Sequence, residues 1–168
     1  TAIEGPVFLA EPGGTMSPGA RSILRFNRVT AFVGGPVVKM LGGRIGEMRA
    51  SGLLPLEVHA DECLFAAVPG AGQPLVDLDG VDPTEKTLRW EVQSGNRYPN
   101  FDAPASATPA MILRPPADGG MPKESNWDQW VAFAGEKTAR AGKPMGKVAF
   151  ANAPAGLAAL ATLKPADA

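Results

Sequence analysis

Cysteine occurs once, at Cys63, and histidine once, at His59. One cysteine excludes an intrachain disulfide framework. One of each also falls short of the three or four ligands that a zinc site would need from such residues. Charge of one sign is equally scarce: 16 Lys and Arg stand against 17 Asp and Glu, a net charge of −1. That balance argues against a general attraction to nucleic acid or anionic lipid. Gly, Pro or Lys39 interrupts every apolar stretch before it is long enough to cross a bilayer. No basic, apolar, small-residue leader opens the sequence, and no Asn-x-Ser/Thr sequon occurs. The expected location is cytoplasmic or inside a large assembly. Nucleophile-elbow, phosphate-loop, dinucleotide and Cys-x-x-Cys strings are missing too.

What the chain has in excess is punctuation. It carries 20 Gly and 17 Pro in 168 residues, where average usage gives about 12 and 8. Short elements and long irregular connections follow. With 45% hydrophobic residues the chain can still form a core. Charge is uneven: residues 1–60 hold six basic and four acidic groups, 61–120 four and nine, and 121–168 six and four. A solvated acidic middle is the simplest account of that pattern.

Alternation predicts strands over 22–33 (bulged near Arg28), 54–60, 62–68, 75–78, 87–93, 111–114 and 147–152. In 87–93, Leu88, Trp90 and Val92 take one face and Arg89, Glu91 and Gln93 the other. Residues 36–50 are ambiguous. Val37, Leu41, Ile45 and Met48 fall at helical spacing and tip the reading toward helix, although Gly42-Gly43 also suits a hairpin turn. The clearest helix runs over 126–141, with Ser125 as N-cap, a stripe of Trp127, Trp130, Val131, Ala134 and Ala141, and Gly142 and Pro144 beyond its end. A short helix over 157–163 is also expected. No internal repeat is visible. The resulting expectation is an α+β, β-rich single domain over 1–168, with mostly antiparallel short strands, one helix and long Pro/Gly-rich loops. An extended arm over 1–20 and a tail over 164–168 flank it.

Two clusters carry candidate chemistry. Asp77, Asp79, Asp82 and Glu85 lie within nine residues and offer oxygen ligands for calcium or magnesium, though their spacing departs from an EF-hand; otherwise no cofactor is expected. The string Pro74 to Val81, an apolar strand ending in Asp77-Leu78-Asp79-Gly80, resembles the first motif of haloacid-dehalogenase-type phosphatases. That resemblance implies Asp77 as nucleophile, Asp79 as acid/base and magnesium bridging both to phosphate. The family's later acidic pair has no match after Asp82. His59, Asp61, Glu62 and Cys63 form the second cluster; a His59–Cys63 dyad would need a turn at Ala60-Asp61 to bring the two together, and a buried core cysteine with a strand-end histidine is the stronger account.

Arg21, Arg25 and Arg28 would line one side of a helix as an anion-binding stripe, but in a strand the three do not share a face. Together with Tyr98 and Phe101 they are the candidate binding residues. The segments 11–20, 68–74, 94–110 and 115–124 combine Pro and Gly with Met16, Tyr98, Phe101 and Met121. Such segments cannot ladder among themselves and need a surface to lie on. A neighbouring subunit is one natural surface. The functional expectation is a non-enzymatic structural or assembly subunit, homo- or hetero-oligomeric, of the virion shell, decoration or tail type. The rivals are a small metal-dependent hydrolase using Asp77–Glu85 and a nucleic-acid or ligand-binding module using Arg21–Arg28.

Overall fold

The structure is a computed structural model that describes residues 2–13, 17–42, 44–45, 48–49, 53–81, 87–92, 95–101, 111–114 and 123–134. The chain begins with β1 (Ala2–Ile3), β2 (Phe8–Ala10) and β3 (Ser22–Asn27). It then runs through β4 (Thr30–Val33) and β5 (Val38–Leu41), a small antiparallel hairpin of β6 (Arg44–Ile45) and β7 (Met48–Arg49), and β8 (Leu56–Asp61). Next come β9 (Leu64–Ala67), β10 (Val76–Asp79) and β11 (Leu88–Val92). After Arg97 bridges to Leu64, the chain forms β12 (Ile112–Arg114), β13 (Lys123–Ser125) and α1 (Trp127–Ala134).

The strands stack in three parallel sheets. The first is β1-β4-β9, the second carries β2-β5-β10-β12, and the third is β3-β8-β11. Each pass of the chain therefore lays one strand on each sheet, and the next pass lies directly on it. Phe8 sits against Val38, Val38 against Val76, and Val76 against Ile112. Ser22, Leu56 and Leu88 are stacked in the same way. This is a parallel β-solenoid, with β13 returning antiparallel on β12 at the edge of the second sheet.

One side of each strand faces the axis. Leu56, Val58 and Ala60 of β8 are buried while Glu57, His59 and Asp61 are half-exposed; Val38 and Met40 of β5, and Val76 and Leu78 of β10, also point inward. A column of aromatic rings runs along the interior. Phe26 meets Phe65 edge-on at 5.2 Å, Phe65 stacks on Tyr98 at 6.4 Å, and Trp130 meets Tyr98 at 6.0 Å and Trp90 at 5.0 Å. Pairs of this kind contribute about 0.5–1.5 kcal/mol each beyond their buried area.

The corners are closed by positive-φ residues and by amide side chains. Arg28 (φ 53), Glu62 (φ 50) and Gly95 (φ 71) occupy the corner between the third and first sheets. Buried Asn96 accepts the Cys63 N–H at 2.8 Å and donates to the Ala60 carbonyl at 3.0 Å. Gln73 donates to the Val33 carbonyl and Asn100 to that of Ala67. Each amide satisfies backbone groups that a corner takes out of the ladder.

The expected antiparallel pairing is overturned. Among the described residues the principal sheets are parallel, and antiparallel pairing is confined to β6–β7 and β12–β13. Inward–outward alternation looks the same for either direction, because a solenoid strand buries one face whichever way its neighbour runs. The crossover that a parallel pair requires is supplied by the strands of the other two sheets. The α+β expectation is likewise replaced by a β-rich solenoid with one short helix described. The helical reading of 36–50 also fails: β5 and the hairpin stand there, with Gly42 packed on the next coil. The 22–33 strand is two strands split at the Arg28 corner. The N-cap of α1 is Asn126, not Ser125, which belongs to β13. Asn126 accepts the Gln129 N–H at 3.0 Å and the Gln129 side chain accepts the Asn126 N–H at 2.9 Å, a reciprocal capping box. The helix beyond Ala134, the 147–152 strand, the 157–163 helix and the 164–168 tail fall outside the described residues.

The two ends of the solenoid differ. Helix α1 packs against β11, and Trp130 and Ala134 are buried there with Trp127 and Phe133 partly so. At the other end, Ile3, Val7, Phe8, Ala10, Leu24, Phe26 and Val29 join the core yet remain partly exposed. The large exposed apolar side chains, Leu9 at 47% and Ile23 at 41%, also belong to this first coil.

Candidate functional site

The outer face of the third sheet carries a built array of charged groups. Strand alternation sends Ile23 and Arg25 of β3, Glu57 and His59 of β8, and Arg89 and Glu91 of β11 outward. Parallel register then sets them in two rows. Ile23, Glu57 and Arg89 form one, and Arg25, His59 and Glu91 the other. His59 Nε2 lies 2.7 Å from Glu57 Oε1, and His59 Nδ1 lies 3.0 Å from Glu91 Oε2. Arg21 donates to Glu57 Oε2 at 3.0 Å, and Arg89 is ion-paired with Glu91 Oε1. The order Arg21, Glu57, His59, Glu91, Arg89 therefore alternates basic and acidic groups, with the imidazole at its centre.

Each carboxylate is divided between two partners. Its outer oxygen faces an arginine and its inner oxygen faces the ring. Only a doubly protonated ring places a hydrogen against both carboxylates; in the neutral ring one nitrogen keeps a lone pair. Burial pushes the Glu57 carboxyl up. The hydrogen bond from His59, then the charges of Arg21, His59 and Arg89, outweigh that effect and hold it below the ordinary carboxylate range. The array's two inner carboxylate oxygens and the ring also offer ligand atoms to a cation.

The sequence-derived candidates are dispersed. Asp77 points outward from β10 and pairs with Lys39 of β5 at 3.1 Å. Asp79 is exposed at the end of the same strand. Among the described residues neither belongs to a group of three metal-ligating side chains, and Asp82 and Glu85 lie outside those residues. Of the arginines, Arg21 and Arg25 reach the outer face of the third sheet, while Arg28 sits at the corner. The hydrogen bond and charge of Glu62, at 2.7 Å, raise the Arg28 pKa further. Tyr98 and Phe101 are fully buried in the core rather than offered to a partner, because their segment is absorbed by the coil beneath it. Cys63 is buried as well, its thiol donating to the Asp61 carbonyl at 3.1 Å, whereas His59 faces outward; the two form no dyad.

Sequence reading missed Glu57, Arg89 and Glu91. The local signal existed, since Glu57-x-His59 and Arg89-x-Glu91 each place two ionisable groups on one strand face. Their convergence depends on pairing β8 with β11, residues more than thirty apart. No known protein family, no curated protein and no solved structure matches the chain. No helix among the described residues is long and apolar enough to cross a membrane.

Proposed function

We propose that the chain is a non-enzymatic assembly module, a rigid β-solenoid that associates with a second copy of itself through its open first coil. The observation that supports this is the asymmetry of the two ends. A stacked-repeat architecture needs a polar or covered terminal unit to stay dispersed. Helix α1 covers the β11 end. The first coil leaves seven core-facing apolar side chains partly exposed and rims them with Leu9 and Ile23. It also presents β3, a six-residue strand that among the described residues stands at the edge of its sheet, where another strand can pair. A second copy fits because edge pairing across a two-fold axis is self-complementary and closes after two subunits. The open end supports a subunit contact and bears on no particular kind of particle.

Light scattering coupled to size exclusion tests the reading. The expected result is a dimer that the double substitution Leu9→Lys, Ile23→Lys converts to monomer, with the circular dichroism of the fold unchanged. A strict monomer of 17.4 kDa at all concentrations overturns it. So does a dimer indifferent to the two lysines.

A further inference from the structure

We propose that Glu57, His59 and Glu91 form a binding site for one divalent transition-metal ion of the zinc class. The site lies on the outer face of the third sheet and does not depend on association through the first coil.

Three features support it. One ligand atom from each residue lies within 4.8 Å of the other two. Ligands at about 2.0–2.2 Å from an ion span at most about 4.4 Å; because the two carboxylates face opposite ring nitrogens, closing the site requires one of them to swing to the nitrogen the other faces. The backbone is fixed: Glu57 and His59 project from the same face of β8, and Glu91 is the direct cross-strand partner of His59. Finally, Arg21 and Arg89 hold the outer carboxylate oxygens and leave the inner ones turned toward the ring. Outer partners that orient ligands in this way are a regular part of metal sites.

The donor set selects the ion. One imidazole and two carboxylates suit zinc and its neighbours, whereas calcium and magnesium take oxygen ligands and gain little from the ring. The ion needs a ring nitrogen lone pair, which only the neutral ring offers. The charge of the two arginines lowers the attraction for a cation, while their hydrogen bonds orient the ligand oxygens, so the two effects oppose each other.

Calorimetric titration of the full chain with zinc chloride near neutral pH tests the site. One saturable site per chain is expected. Affinity should fall at least about tenfold in His59→Ala and in Glu91→Gln, and stay unchanged in Asp79→Asn. Zinc should also raise the melting temperature of the parent chain, and not that of His59→Ala. Circular dichroism establishes that each variant is folded; Glu91→Gln, which keeps the shape of its side chain, carries the test if His59→Ala is not. Absence of saturable zinc binding overturns the proposal. Binding that survives both ligand substitutions, or that disappears with Asp79→Asn, overturns it equally.

Discussion

Asn96 is the side chain on which the stacking of the third coil depends most directly. It is 5% exposed and has two partners, the Cys63 N–H and the Ala60 carbonyl, both in nearly inaccessible residues of the coil below. Asn96→Ala removes the donor and the acceptor at once. Two buried backbone groups are then unsatisfied, at about 1–3 kcal/mol each, so the expected loss is about 2–6 kcal/mol. Against a total of roughly 5–15 kcal/mol for a typical domain, that is a large share. Urea denaturation measures it as a lower midpoint with an unchanged slope. Hydrogen exchange at the Cys63 amide should accelerate before that of β8 as a whole. Asn96→Asp separates the two bonds. An ionised side chain still accepts from Cys63 but sets a carboxylate against the Ala60 carbonyl oxygen. Folding therefore raises the pKa of the introduced group. Its penalty is full above that raised value and disappears as the pH falls below the unfolded one. A loss under about 0.5 kcal/mol in both variants, the range of an ordinary surface substitution, would refute this account of the corner.

Gly42 lies close against the backbone of the next coil. A Cβ there would stand 2.5 Å from the Gly80 carbonyl oxygen, so Gly42→Ala is expected to destabilise by about 1–3 kcal/mol in urea, while Gly13→Ala, with nothing within 4 Å, stays within about 0.5 kcal/mol. Glu57 gives the fold an acid-sensitive contact. Its folded-state pKa lies below the ordinary value of 4.5, so its contribution is fully present above that value and is lost as pH falls through the depressed one. Relative to the parent chain, Glu57→Gln should flatten the acid limb of stability against pH; an unchanged limb would show that the array does not hold the carboxylate.

Strand positions were legible because inward-facing residues alternate with outward ones. Leu88, Trp90 and Leu56, Val58, Ala60 stand as their spacing predicted. Strand direction was not legible, since alternation carries no sign and the pairing is set by residues roughly a coil away. The repeat was hidden for a related reason. Successive coils share geometry but not residue identity: Arg28, Glu62 and Gly95 occupy one corner with nothing in common except a positive φ. The helical spacing of Val37, Leu41, Ile45 and Met48 misled because it spans a corner and a hairpin, where no single period applies. The site suffered most. His59 drew attention through its sequence neighbours Asp61 and Cys63, while its actual partners are Glu57 two residues back and Glu91 on the adjoining strand.

The premise that Pro- and Gly-rich segments need a surface to lie on survives, but the surface is different. Tyr98, Phe101, Asn96 and Asn100 belong to a segment with little regular structure, and all four make their contacts on the coil below through core packing or bonds to Ala60, Cys63 and Ala67. The described stretch 95–101 is ordered by the previous turn of its own chain, so its proline content does not by itself imply a partner. The same logic isolates the first coil, which has no described turn beneath it. Its inward apolar side chains keep a partial exposure that the inward residues of β5, β8 and β10 lose. In the proposed assembly the contact lies at that end and not at the loops, so substitutions in the loops should leave self-association untouched while lysines at Leu9 and Ile23 abolish it.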